Sequence, residues 1–217
     1  MAMRNATAVM IELLEAALKT SHKARYVLFD TWFANPHQII QNKYMGLDTI
    51  AMVRKGAKIK YEFDGKRLNI KEIYSNCKKL IERSRYLLSI EVKLGKDNGD
   101  EHQIPARIVC VRNRNKKNDG IALITTDMDL SEEEIIHIYG DIDVFFKTCR
   151  TYLKLRKECR SLSYDAMTAH VAIVFTRHMI LSVFQQHDEN QPALGELFSD
   201  YDGTCGHHIQ RIDDVSG

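Results

Sequence analysis

The sequence predicts an α/β fold in which a partly parallel core carries an inserted, mainly antiparallel β subdomain. Two observations lead to this expectation. Apolar runs at 26–29 and 49–53 flank a segment, 37–44, that can form a short helix, and this strand, helix, strand order builds parallel pairs. Alternating stretches then follow at 58–63, 66–70, 85–94 and 104–112, with the two-residue hairpin signal Asp64-Gly65 between the first two. We therefore expect a core from 1–57 and 118–186, a β insertion at 58–117 and a poorly ordered tail at 187–217.

The remaining elements complete the core. Apolar residues at helical spacing predict a helix over 6–19, and 71–82 is expected to form another. The stretch 120–126 predicts a strand that ends at Asp127. Ser131, followed by three glutamates, is a typical helix N-cap, and Ser163 begins a further helix to about residue 184, which we expect to be mostly a core helix.

Composition bounds the class of protein. The 217 residues are 44% hydrophobic and 28% charged, which is typical of a soluble globular chain, and the net charge of +2 is too small to indicate a partner by itself. Charge is unevenly placed, because 142–160 is strongly basic and the segment after His187 is acidic. Five scattered cysteines without a CxxC pair favour a reducing compartment. Because the longest apolar run, 166–184, is interrupted by His170, Arg177 and His178, we expect a cytoplasmic protein without a membrane partner.

One stretch, 138–157, combines an acid with a series of cations. Asp143, Lys147, Arg150, Lys154 and Lys157 are spaced by four, three, four and three residues, which places them on one helix face. Five apolar residues fall largely on the other side, where a core can take them: Ile142, Phe145, Phe146, Cys149 and Leu153. The pattern fits a site for a metal ion and an anionic backbone, and it equally fits a solvated basic face.

Three acids are candidates for the chemistry. Asp30 follows a buried strand, where open α/β sheets place their ligands, Asp127 follows a later strand, and Asp143 lies on the helix. Two or three carboxylates brought together bind Mg²⁺, and paired ions stabilise the displacement at a phosphodiester. Strand-end acids also often cap turns without any catalytic role.

Three motifs carry a family resemblance: YVLFDTWFANP, IDVFFKTCRTYLKL preceded by IYG, and SLSYDAMTAHVAIVFTRHMIL. In this order they resemble the DDE transposases of bacterial insertion sequences that share a Y-R-E-K signature. The resemblance implies a ribonuclease H-like core in which three acids hold two Mg²⁺ ions. It also implies cleavage of DNA at transposon ends and joining to target DNA.

The resemblance assigns roles to individual residues. Asp30 matches the second catalytic aspartate, and Asp143 stands at the position of the catalytic glutamate, so both are the implied metal ligands. Arg150 stands at the signature lysine and Tyr139 at the signature tyrosine. Asp127 matches no catalytic acid, and we expect a structural role for it.

Three departures from the family pattern affect the expected activity. No residue matches the first aspartate, which the family carries on a strand before the equivalent of Ala6, so the chain resembles an N-terminally truncated enzyme. The signature Arg-Trp is absent, which leaves Tyr139 only four residues before the acid. Aspartate at 143 shortens the side chain by about 1.5 Å relative to glutamate, and Mg²⁺ tolerates little departure from its geometry.

The sequence therefore predicts a transposase catalytic-domain fragment that binds double-stranded DNA and is incomplete in cleavage. The expected phosphate contacts are Tyr139, Lys147, Arg150, Lys154, Lys157, Arg54 and Lys55, with Arg112, Arg114, Lys116 and Lys117 as further cations. One alternative is a non-catalytic protein that pairs with or inhibits an intact transposase through the apolar helix at 167–184. Another is an unrelated Mg²⁺ nuclease with the same core.

Overall fold

The computed structural model describes residues 6–20, 24–56, 58–77, 86–95, 103–112, 120–155 and 163–187. The chain divides into two compact units, Met1–Gly140 and Asp141–Gly217, and each is described by itself. The described helices are α1 (Ala6–Leu18), α2 (Pro36–Tyr44), α3 (Ile70–Asn76), α4 (Glu132–Thr151) and α5 (Tyr164–His187). The described strands are β1 (Tyr26–Phe29), β2 (Asp48–Met52), β3 (Tyr61–Phe63), β4 (Lys66–Leu68), β5 (Tyr86–Leu94), β6 (Ile104–Arg112) and β7 (Gly120–Thr125).

The first unit is built on a single sheet of the seven described strands, in the order β1-β2-β7-β6-β5-β3-β4. β1 and β2 are parallel, with Val27 opposite Thr49, and every other neighbouring pair is antiparallel. The fold is therefore mixed α/β with a mostly antiparallel sheet. This confirms the parallel β1–α2–β2 unit and the antiparallel character of 58–112.

The strands predicted as an insertion continue the sheet of the core. β6 pairs with β7 along six residues, so that β3, β4, β5 and β6 extend the same sheet that β1 and β2 begin. One apolar cluster contains residues from both parts, including Phe29, Ile40, Tyr61, Val92 and Ile108. The described strands β3, β4, β5 and β6 thus share a core with the rest of the first unit.

Local sequence signals explain where α2 begins. The Asn35 side chain accepts a hydrogen bond from the Gln38 amide at 2.9 Å, and Pro36 occupies the first turn, where its missing N–H costs nothing. Ile39 and Ile40 are buried in the core. The helix therefore carries the chain across one face of the sheet, from the end of β1 to the start of β2.

The predicted hairpin is confirmed between β3 and β4. Asp64 and Gly65 have φ angles of 51° and 69°, and Phe63 lies opposite Lys66. Two central residues with positive φ match the right-handed twist of the flanking strands, which is why Asp-Gly is favoured there.

Helix α4 begins where the sequence predicts it. The Glu134 side chain accepts from the Ser131 amide at 2.8 Å, and the Glu134 amide donates to the Ser131 hydroxyl at 3.3 Å, which is a capping box. The preceding loop is held by Arg107, whose guanidinium donates to the carbonyls of Met128 and Leu130.

The end of α4 differs from the prediction. The helix ends at Thr151 instead of continuing to 157, because Lys154 adopts a left-handed conformation with φ of 52°. The Leu155 amide then folds back and donates to the Cys149 carbonyl at 3.0 Å. Lys154 consequently lies beyond the helix, in the turn that closes it.

In the second unit α5 packs against the last turns of α4 through a small apolar cluster. Cys149, Leu153 and Val174 are buried, and the Phe145 ring lies 5.1 Å from Phe175 and 4.7 Å from His178. The expectation that α5 is mostly a core helix is wrong for its described side chains, of which only Val174 is fully buried. Its exposed apolar residues include Met167, Val171, Ile173, Met179, Ile180, Val183 and Phe184.

Among the described residues, the segment Tyr164–Phe184 of α5 is long and apolar enough to cross a membrane. Length and composition alone do not separate such a helix from an apolar helix of a soluble protein.

Candidate nucleic-acid interface

One edge of the sheet collects the cations that follow the strands. β6 is antiparallel to β7, and β7 is antiparallel to β2, so β1, β2 and β6 all run in the same direction. Arg54 and Lys55 follow β2, and Arg112 is the last residue of β6. All three side chains are exposed, and we name them the cationic edge. Neighbouring strands lie about 4.8 Å apart, so this edge spans about 14 Å from β1 to β6.

Asp30 lies at the same edge, directly after β1. Its side chain is exposed, and one carboxylate oxygen accepts from the Thr31 amide at 2.6 Å. The Phe33 amide donates to the Asp30 carbonyl, which closes a tight turn. The other carboxylate oxygen is open to solvent or to a ligand from outside the sheet.

Asp127 lies at the opposite edge because β7 runs antiparallel to β2. Its buried carboxylate accepts from the Arg25 guanidinium at 2.8 Å, the Tyr26 hydroxyl at 2.7 Å and the Asp129 amide at 3.0 Å. These contacts tie the loop after β7 to the start of β1. They fit the structural role expected for Asp127. Because Asp30 lies at the other edge of the sheet, the length of the strands separates the two acids.

The ionisation of this cluster follows from its contacts. Burial opposes charge on Asp127, but the hydrogen bonds from Tyr26, the Asp129 amide and Arg25 outweigh it and lower the carboxyl pKa. Burial, together with the hydrogen bond to Asp127, raises the pKa of Tyr26 to about 12. The fold therefore keeps a charged carboxylate beside a neutral phenol at neutral pH.

The exposed face of α4 in the second unit carries the predicted acid and cations. Asp143, Lys147 and Arg150 are all exposed, and Lys154 is exposed in the turn after the helix. The Arg150 guanidinium lies 5.6 Å from the centre of the Phe146 ring, which orients its planar group along the helix surface. We name Lys147, Arg150 and Lys154 the α4 cations. Lys157, predicted with them, lies outside the described residues, as do Arg114, Lys116 and Lys117.

Tyr139 does not lie on the surface as a DNA contact would. Its side chain is 7% exposed, and Ile135, one turn earlier on the same helix face, is fully buried. Spacing of four residues places both on the apolar stripe of α4. The expected phosphate contact by Tyr139 is corrected accordingly.

The described residues do not assemble an evident metal site. No group of three or more His, Cys, Asp or Glu side chains in that part of the chain is positioned to hold an ion. Asp30 lies in the first unit and Asp143 in the second. Their joint role as Mg²⁺ ligands therefore stays a prediction, and the described donors within either unit do not fit a pair of Mg²⁺ ions.

Two contacts between residues far apart in the chain could not be predicted from the sequence. Arg25 precedes β1 and Tyr26 begins it, and neither gave a signal of a partner about a hundred residues away. The sequence gave no reason to connect Lys71 with Lys55, and only the fold brings both residues to the lining of one cavity.

Comparison with known proteins adds no relationship. The sequence matches no protein-family model, and it has no significant match among curated proteins.

Proposed function

We propose that this chain is a DNA-binding fragment of a DDE transposase catalytic domain with a ribonuclease H-like core. The parallel β1–α2–β2 unit with Asp30 directly after β1 supports the proposal. So does the helix that carries Asp143 and the α4 cations. The predicted cytoplasmic location belongs to the same proposal.

The observation that carries the proposal is the division of α4 into two faces. Cys149 of α4 and Leu153, in the turn after the helix, are buried, whereas Lys147 and Arg150 are exposed one turn apart. A helix that only packs against the core needs the buried face but not the row of exposed cations. Exposed cations at one-turn spacing give a short row of positive charge that can follow a phosphate backbone without reading its sequence.

Cleavage is not part of the activity that we propose for this chain. Aspartate at 143 is shorter than the glutamate implied by the resemblance. Binding therefore accounts for the residues better than chemistry does.

The salt dependence of DNA binding tests the proposal. With duplex DNA that lacks terminal phosphates, the affinity is expected to fall steeply between about 50 mM and 200 mM salt and to vary little with base sequence. Fluorescence anisotropy measures both properties. Affinity that is absent at the lowest salt, or that is independent of salt, would contradict the proposal.

A second candidate function is favoured by the exposed apolar residues of α5. Large exposed apolar patches often mark protein interfaces, and a fragment that pairs with an intact transposase would inhibit it. Co-purification with an intact transposase after nuclease treatment would support this function. A monomer that never co-purifies would count against it.

A further inference from the structure

The single tryptophan of the chain, Trp32, lies on the surface in the turn that follows Asp30. It comes shortly after β1 ends at Phe29, and its side chain is 80% exposed. Tryptophan is highly buried on average, because a large apolar ring gains free energy by leaving water. An indole held in solvent at the edge of the sheet therefore needs a reason that packing of the first unit does not supply.

The turn that carries Trp32 is fixed by its neighbours. The Phe33 amide donates to the Asp30 carbonyl at 3.3 Å. Phe33 packs against the core, with its ring centre 6.0 Å from that of Phe29, and Ala34 is buried. Because the two residues after Trp32 are anchored in the core, the indole is presented outward from a well-defined backbone. A side chain on such a backbone loses less conformational freedom when it binds a ligand.

Polar side chains accompany Trp32 along the chain and on the neighbouring strand. Asp30 and Thr31 precede it, and Asn35 ends the turn, so the exposed indole is a single ring between polar residues. Arg54 follows β2, which is parallel to β1 and lies about 4.8 Å from it, and the Arg54 side chain is exposed. Neighbouring strands thus offer a flat aromatic face and a positive charge at one edge.

We propose that Trp32 stacks on an unpaired base of single-stranded DNA, while Arg54 contacts the phosphate backbone beside it. Base pairs in a duplex cover each other's faces, so only an unpaired base has a face free for the indole. Every base has such a face, and stacking on aromatic side chains is a common means of binding single strands. The Asp30 carboxylate repels phosphate, which favours a base over the backbone at this turn. The inference rests on the proposed function and adds single-stranded DNA as a ligand of the first unit.

Fluorescence titration tests the stacking directly, because all tryptophan emission of the chain comes from Trp32. A thymidine oligonucleotide is expected to quench the emission in a saturable manner. An abasic strand of the same length keeps the phosphates but lacks the bases, and it is expected to bind without quenching. A long duplex is likewise expected to leave the emission nearly unchanged. Equal quenching by the abasic strand, or single-strand binding without quenching, would overturn the inference.

Substitutions measure how much the ring contributes. Trp32→Ala is expected to weaken single-strand binding by about fivefold or more, whereas Trp32→Phe keeps an aromatic face and is expected to retain most of the affinity. Tyr44→Ala, which removes another exposed aromatic side chain of the first unit, is the matched control. Unchanged affinity in Trp32→Ala, or an equal loss in Tyr44→Ala, would refute the site. If Trp32→Ala fails to fold, the titration of the unchanged protein still decides.

The phosphate contact has its own variant. Arg54→Ala is expected to reduce the slope of log affinity against log salt for the thymidine strand by about 0.7, which is the contribution of one phosphate contact to a single strand. Lys66→Ala, at another exposed cation of the first unit, is the control and is expected to leave the slope unchanged. Equal slopes in Arg54→Ala and the unchanged protein would refute the assigned phosphate contact.

Duplex binding separates this inference from the proposed function. Trp32→Ala is expected to bind duplex DNA as tightly as the unchanged protein does. Salt-dependent duplex binding without quenching by single strands would overturn the stacking and leave the proposed function intact. Absence of duplex binding in the unchanged protein would overturn the proposed function whatever the emission shows. An RNA strand of matching sequence that binds and quenches more strongly than DNA would overturn DNA as the ligand.

Discussion

At the residue scale, Asp127 shows how a strand-end acid can be structural. Its carboxylate is buried and accepts three hydrogen bonds, two of which come from residues at the start of β1. Asp30 also follows a strand, but it is exposed, and its carboxylate accepts a hydrogen bond from the amide of its own neighbour, Thr31. Two acids with the same position relative to a strand thus have different surroundings, and they lie at opposite edges of the sheet because their strands run in opposite directions.

Replacing Asp127 with alanine is expected to destabilise the protein by about 1–3 kcal/mol, because the Tyr26 hydroxyl and the Asp129 amide lose their acceptor. Urea unfolding measures the change. Asp129→Ala, at an exposed neighbouring position, is the control and is expected to change stability by less than about 0.5 kcal/mol. Equal effects of the two substitutions would show that the buried carboxylate has no special role.

The same cluster predicts how stability depends on pH. The pKa of Asp127 is lowered by folding, so its contribution is present above the unfolded pKa of about 4 and is lost as the pH falls through the folded value. The pKa of Tyr26 is raised to about 12, so its contribution is complete below the unfolded pKa and is lost as the pH rises through about 12. In Asp127→Ala, the free energy of unfolding is expected to lose the part of its acid dependence that comes from Asp127. Unfolding measured across pH checks this.

Lys154 offers a second test at this scale. Its φ of 52° is unfavourable for any side chain with a Cβ atom. Lys154→Gly is expected to be more stable than Lys154→Ala by about 0.5–1 kcal/mol, because glycine adopts this conformation without strain. Both variants remove the same charge, so thermal unfolding isolates the backbone effect, and equal stability would contradict the assigned turn.

At the scale of elements, α4 separates packing from surface charge along its length. The buried apolar residues of α4 are Ile135, Tyr139 and Cys149, and its exposed positions carry Asp143, Lys147 and Arg150. The burial of Tyr139 is a consequence of this stripe. The cations can therefore be altered without disturbing the core.

The double substitution Lys147→Ala/Arg150→Ala is expected to weaken DNA binding and to reduce the slope of log affinity against log salt by about 2, since each phosphate contact contributes about 0.9. Alanine preserves the helix. Anisotropy titrations at several salt concentrations measure the slope.

The matched control is Lys58→Ala/Lys66→Ala, which removes two exposed cations of the first unit that belong neither to the α4 cations nor to the cationic edge as defined above. Its slope is expected to be close to that of the unchanged protein. If both double variants lowered the slope equally, binding would reflect net charge instead of the α4 face.

At the scale of the whole molecule, the sheet direction determines which residues share an edge. Arg54, Lys55 and Arg112 come from two strands that are not neighbours, and they gather with Asp30 because β1, β2 and β6 are codirectional. After β1, β2 and β6, the described residues at this edge include one exposed acid, Asp30, and three exposed cations. Such a surface favours an anionic partner over a metal ion held by several carboxylates.

Catalysis is tested on the complete chain with supercoiled plasmid DNA. No nicking above background is expected with Mg²⁺ or Mn²⁺, because the described residues of neither unit supply a three-acid set. Asp30→Asn is the control, and it is expected to be indistinguishable from the unchanged protein. Nicking that Asp30→Asn abolishes would show that cleavage is intact.

The sequence alone determined the local elements. The Asp64-Gly65 hairpin and the α4 start at Ser131 each depend on hydrogen bonds or φ angles within a few residues, so residue type was sufficient to predict them. The exposure of Lys147 and Arg150 followed from helical spacing for the same reason. Only the tertiary structure decided that Asp127 faces away from Asp30, that Tyr139 is buried, and that Lys71 lies at one cavity with Lys55. These facts depend on strand direction and on contacts between residues far apart in the chain, which local spacing does not specify.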